Sequence, residues 1–188
     1  GMKTLYLLLT LLLTLGGLEA KSFSVEVRSP QGPVANQEVD FFIFDGNQNQ
    51  ESITRKTNSQ GRALFSITDK EKFSVAARTI YQGVSYFTDV NFSNVKSPLT
   101  LRVYPATISS DALKIRDLQL FLEPVEKSLR VDQQWTVFNP TQTTIISGFR
   151  VTLPSNGFDL QLQQGFSQDR TSFEGNDLVV TTPLLPGE

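Results

Sequence analysis

Between Ser22 and Ser29 apolar and polar residues alternate without a break: Phe23, Val25 and Val27 on one side, Ser24, Glu26 and Arg28 on the other. A period of two places successive side chains on opposite faces of an extended chain, so this stretch reads as a half-buried strand. The same signal returns along the next seventy-odd residues. "EVDFFIF" (38–44) is apolar on both faces at its centre and reads as an interior strand. "SITRKT" is weaker, and its Arg55 and Lys56 suit an edge strand that must resist pairing with other chains. "RALFSI" repeats the alternation at Ala63, Phe65 and Ile67; "KFSVAAR" and "GVSYFTDVNF" follow, the latter with Val84, Tyr86, Thr88, Val90 and Phe92 on one face. "SPLTLRVYP" closes the set with Leu99, Leu101 and Val103. Gly, Pro and Asn separate these runs, and no helical period intervenes. About seven short strands so spaced predict an antiparallel β-sandwich of immunoglobulin-like architecture. The polar turn "TNSQGR" is expected to be a hairpin connection, with Asn58 and Gly61 supplying left-handed backbone.

"ATISSD" (106–111) is small, polar and aperiodic, and a domain boundary is expected there, dividing a unit at 21–106 from one at 111–188. In the second unit Leu118, Leu120 and Leu122 share a face, as do Leu129, Val131, Gln133, Trp135 and Val137. Phe149, Val151 and Leu153, then Phe158, Leu160 and Leu162, then "NDLVVTT" mark further strands. A helix across 117–133 is disfavoured, because Leu120 falls off its apolar stripe and Pro124 would break it. Trp135, lying on the apolar side of its strand, is expected in the core. The last strand runs into "PLLPGE" with nothing after it to pair, so this second all-β unit is expected to be incomplete, cut inside a longer protein.

Residues 1–20 are expected to lie outside the fold. Gly1 before Met2 has the character of a tag remnant; Lys3, the leucine-rich run Leu5–Leu15 and the small residues Gly16, Gly17 and Ala20 have the layout of a secretory signal peptide cleaved near Ala20. The apolar run is too short to span a bilayer. The mature protein is thus expected to be exported: periplasmic, in the outer envelope, or secreted.

Composition then narrows the chemistry. The chain has no histidine and no cysteine, which removes Ser-His-Asp and Cys-His catalysis, disulfides, and histidine- or thiolate-based metal sites. A net charge of -2 offers no basic field, so nucleic acid is not an expected partner. Carboxylate chemistry, Ser/Lys chemistry and oxygen-ligand metals remain. "DGNQNQE" (45–51) has oxygen ligands at Asp45, Asn47 and Asn49, but Gln50 stands where a calcium loop needs glycine and Lys56 where it needs a bidentate glutamate, so it reads as a turn. Asp111, Asp117, Glu123 and Glu126 read as solvated acids on strand faces rather than a catalytic pair. Catalytic, cofactor-binding and metal-binding residues are all expected to be none. Among the aromatics, Tyr86 and Trp135 alternate with core positions, leaving Tyr81 and Phe87 as candidates for an exposed ligand-binding platform of the kind that stacks on sugar rings. Asn91-Phe92-Ser93 fits the glycosylation sequon, which acts only in a eukaryotic host.

Two features taken together carry a family resemblance. "SPQGPVANQEVDFFI" places Gly32 and Pro33 ahead of Val39, and "TNSQGRALF" follows some twenty residues on with Thr57, Asn58, Gly61 and Arg62. Residues 21–105 so resemble the carboxypeptidase regulatory-like domains, which share the transthyretin-like sandwich with Cna-B-type modules. The resemblance implies a mostly non-catalytic stalk, spacer or binding module on an exported protein. The hydroxyisourate hydrolases of the wider group need histidines and a terminal Tyr-Arg-Gly-Ser that this chain lacks. Cna-B modules often join a lysine to an asparagine, but "PLTLRVYP" offers no such partner, so no isopeptide is expected at Lys21. Residues 111–188 are weakly similar to the β-rich region that follows such domains in uncharacterised bacterial envelope proteins, where the chain continues and sometimes ends in a membrane anchor. The sequence thus predicts a non-catalytic structural or interaction module at a bacterial envelope, without cofactor, its partner an unnamed protein or glycan. The alternative is a carbohydrate-binding module built on Tyr81 and Phe87.

Overall fold

A computed structural model describes residues 20–44, 50–68, 74–91, 98–155, 161–162 and 167–187. Residues 1–19 of the expected signal peptide (1–20) and the calcium-like positions Asp45, Asn47 and Asn49 lie outside them. The described part is all-β and built mainly from antiparallel sheets.

The alternating stretch at the start becomes β1 (Ala20–Ser29), followed by the short β2 (Gly32–Pro33) folded back on its end. Then come β3 (Glu38–Phe44), β4 (Gln50–Lys56), β5 (Arg62–Thr68), β6 (Ser74–Tyr81), β7 (Val84–Asn91) and β8 (Leu99–Arg102). β1 is flanked by β5, antiparallel, and β8, parallel. The other sheet runs β4–β3–β6–β7, antiparallel throughout. As expected, β3 is interior and the Arg/Lys-bearing β4 is an edge.

The inward faces of both sheets form one core. Phe23, Val25 and Val27 of β1, Ala63 and Phe65 of β5 and Leu101 of β8 meet Val39, Phe41 and Ile43 of β3, Val75 and Ala77 of β6, and Val84 and Tyr86 of β7. Phe41 stacks on Phe65 across the sandwich at 4.9 Å between ring centroids. Each of the valine, leucine, isoleucine and phenylalanine side chains contributes about 1.5–3 kcal/mol on leaving water, and this is what turns the alternation into two packed layers.

The turn at 57–62 is not a hairpin. It carries the chain from β4 in one sheet to β5 in the other. Thr57 anchors it: its hydroxyl donates to the Val34 carbonyl (2.7 Å) and accepts from the Gln37 amide (2.8 Å). The Asn58 carboxamide oxygen accepts from the amides of Gln60 (2.9 Å) and Arg62 (3.0 Å). Gly61 has φ +75° and accepts the Val27 amide through its carbonyl (2.7 Å). Turn chemistry of this kind is local and fits either connection. What directs β5 to β1 is burial of Ala63 and Phe65 opposite Val25 and Phe23.

Beyond β8, two-residue β9 (Ala106–Thr107) pairs in parallel with β12 (Thr144–Ile145). Between them β10 (Lys114–Val125) and β11 (Ser128–Phe138) form a long antiparallel hairpin with one irregularity between Ile115 and Asp117. The last sheet is β13 (Phe149–Thr152), β15 (Asp177–Val180) and β14 (Thr171–Glu174), with β15 central. Phe158 and Leu160 of an expected strand lie outside the described residues.

A buried polar knot joins the 139–145 loop to the sandwich. The Tyr86 hydroxyl donates to the Tyr104 carbonyl (3.0 Å) and bonds the Thr144 hydroxyl (2.7 Å). Fully buried Asn139 donates to the carbonyls of Thr143 and Leu184 (both 2.8 Å), and its oxygen accepts from the Thr141 amide (3.0 Å) and hydroxyl (2.6 Å). Leu185 packs against the sandwich core. A buried amide with every group satisfied fixes its loop, since an alternative arrangement would strand one of them.

Candidate interaction surfaces

The carboxylates whose environments matter are held ionised. Hydrogen bonding by Arg28, with Arg62 nearby, keeps Glu26 below the usual range. The Arg78 guanidinium (2.8 Å) and the Thr54 hydroxyl (2.7 Å) do the same for Asp40. Asp169 is likewise lowered, first by the Ser167 hydroxyl. Lowered values stabilise the charged form, the reverse of what a general acid needs. Asp111, Asp117, Glu123 and Glu126 are all exposed, and Glu123 stands opposite Arg130 in the hairpin. Among the described residues no three or more acids gather closely enough to hold a metal ion.

Tyr81 and Phe87 are not brought together. The two-residue turn Gln82–Gly83, with φ +49° and +81°, sets Tyr81 opposite Val84 and Phe87 opposite Arg78. Counting by twos from those pairs, Tyr81 falls on the core side with Val84 and Tyr86, and Phe87 on the outer side. Tyr81 is half-buried against the core; Phe87 is 64% exposed. The turn itself carried this information: a two-residue link fixes register, and register fixes faces.

Phe87 has other company. On the outer face of the β4–β3–β6–β7 sheet, Arg78 lies between Asp40 on β3 and Phe87 on β7. Its guanidinium pairs with Asp40 and sits 4.9 Å from the centroid of the Phe42 ring. Ile80 and Phe44 add exposed apolar surface to the same face. The double-sided apolarity of "EVDFFIF" signalled this, for Val39, Phe41 and Ile43 enter the core while Phe42 and Phe44 remain outside. The edges of β7 and β8 bound a groove of about 520 Å³, lined by Phe87, Thr100, Arg102, Tyr104, Leu185 and others.

A second surface lies on the β10–β11 hairpin. Leu118 pairs with Trp135 and Leu122 with Val131, so the apolar face expected from the sequence forms, but it is not core. Leu118, Leu120, Leu122 and Leu129 are each half-exposed or more, and Trp135 is 36% exposed. The expectation for Trp135 fails because alternation tells which side of a strand is apolar, not whether another layer covers it. At the hairpin's base Ile115, Trp135 and Val137 meet Phe149, Val151 and Val179 across a groove of about 720 Å³.

No protein family matches this chain, and no curated protein matches it either.

Proposed function

We propose that this chain is a non-catalytic interaction module of an exported bacterial protein, and that it engages its partner through the outer face of the β4–β3–β6–β7 sheet. The observation that carries the reading is the grouping there of exposed Phe87, Ile80 and Phe44 around the Arg78–Asp40 pair. An aromatic beside a fixed cation gives apolar area and orientation at once, the composition that dominates binding energy at protein interfaces. The kinship with carboxypeptidase regulatory-like domains belongs to the same proposal. It is supported by the Thr57–Arg62 segment, whose residues lock the two sheets together. The leader-like residues 1–20 support export to the envelope or beyond.

A carbohydrate-binding reading rests on Phe87 without Tyr81, with Arg78 and Asp40 as neighbouring hydrogen-bonding groups. One set of measurements tests both. Residues 1–25 fused to an alkaline phosphatase lacking its own leader should give activity in a bacterial host, as that enzyme matures only after export; an inactive fusion removes the exported setting. Saturable binding of the protein to purified envelope proteins or cell-wall polysaccharide should be lost in Phe87→Asp and kept in Tyr81→Phe. Binding indifferent to Phe87→Asp would refute the assignment to this face, and the class of ligand bound decides between protein and glycan.

A further inference from the structure

We propose that the apolar face of the β10–β11 hairpin is a self-association surface, packing against the same face of a second copy of this chain. The face consists of Leu118, Leu120 and Leu122 on one strand and Leu129, Val131 and Trp135 on the other, all between 36% and 57% exposed. It is a flat strip two strands wide and about 20 Å long. A two-stranded hairpin standing alone is marginally stable in water and needs a further layer on its apolar side.

Three observations identify the layer. The strip carries no formal charge between the Leu118–Trp135 and Pro124–Leu129 pairs, so two copies meet without like-charge repulsion. Of its two polar side chains, Trp135 is already partnered, its indole N–H donating to the Gln133 carboxamide oxygen at 3.1 Å, so burying the tryptophan strands no indole donor, while the Gln133 amide N–H groups must find an acceptor across the contact. The area also fits. Six side chains exposed to this degree leave roughly 500 Å² per copy, and a face-to-face pair would cover about 1,000 Å², the lower limit for a specific interface. A two-fold arrangement matches each leucine ridge with its own image at the ordinary spacing of stacked sheets, about 10 Å.

Trp135 is the sole tryptophan of the chain and reports directly on the strip. Sedimentation velocity and tryptophan emission of the full protein, followed across a wide concentration range, should show a monomer–dimer equilibrium with a blue shift of Trp135 in step with dimer mass. Leu120→Lys sets two cations in the symmetric contact and should weaken association by about a hundredfold. Phe121→Lys, on the opposite face of the same strand, should leave it unchanged. Equal circular dichroism and melting of the monomeric variants guard against loss of fold. The proposal is overturned by a monomer at every concentration, by a dimer insensitive to Leu120→Lys, by Trp135 already shielded in the monomer, or by a blue shift produced only by phospholipid vesicles.

Discussion

A side chain at Gly61 would meet two obstacles. Its backbone has φ +75°, and an added Cβ would sit 2.7 Å from the Val27 carbonyl oxygen and 3.0 Å from Pro33. Gly83 shares the first obstacle alone, with φ +81° and open space around it. Gly61→Ala should therefore cost about 2 kcal/mol or more and Gly83→Ala about 1 kcal/mol. Equal losses in chemical denaturation would show that the crossover turn is not clamped as described. Acid sensitivity also belongs to single residues. Glu26 and Asp40 are lowered in the folded state by their arginine partners, so the unfolded chain takes up protons first as pH falls. The stability they contribute is present above the ordinary carboxylate range, about pH 4, and drains away as pH drops through it to the lower folded values. Asp40→Asn should flatten that part of a stability–pH curve; an unchanged slope would mean that the Arg78 contact is too well solvated to matter. The arginine that completes this pair had no signal in the sequence, because Asp40 and Arg78 are neighbours only through the β3–β6 register.

At the level of elements, the sequence is a good guide to strands and a poor guide to their company. The alternation at Phe23, Val25 and Val27 or at Leu118, Leu120 and Leu122 is a local property, and both strands are where it indicates. Whether β5 pairs with β4 or β1, and whether Trp135 finds a covering layer, depends on segments far away in the chain. Asn139 shows the same limit more sharply. In "VFNPTQTT" it has the look of an ordinary turn residue, yet it is fully buried and holds the strand after Thr143 to the segment at Leu184. Asn139→Ala removes the donor from two carbonyls and should cost about 2–4 kcal/mol. The consequence is specific in place: the amides of Ile145 and Leu184, which bond each other's carbonyls, should exchange with solvent far faster while those of β3 and β6 change little. Uniform acceleration would mean that Asn139 supports the whole molecule rather than this loop.

For the whole molecule, the organisation is two packed sheets sharing one core, to which Tyr86, Thr144 and Leu185 fasten later parts of the chain. Thr57 and Asn58, singled out in the sequence, do structural work in the crossover, and Asp40 and Glu26 do so in ion pairs, while Asp111, Asp117, Glu123 and Glu126 stay exposed. The two surfaces proposed to meet other molecules are largely apolar, the first with the Arg78–Asp40 pair at its centre, and register sets which side chains lie on each. A chain read one residue at a time conceals such faces. Phe87 and Tyr81 are six positions apart in sequence, and the parity of one two-residue turn sends them to opposite sides.

The parallel pairing of β1 with β8 has one more consequence, for load. Val25–Arg28 run beside Leu99–Arg102 in the same direction, so the polypeptide enters the sandwich at one pole and leaves from the other. Tension applied through the two poles drags these strands lengthwise past each other, and all rungs of the ladder must yield together. The β10–β11 hairpin has its ends side by side at Lys114 and Phe138, so the same tension peels it open one rung at a time. Stretching single molecules should accordingly reveal a low-force lengthening from the hairpin, followed by an abrupt, high-force rupture of the sandwich.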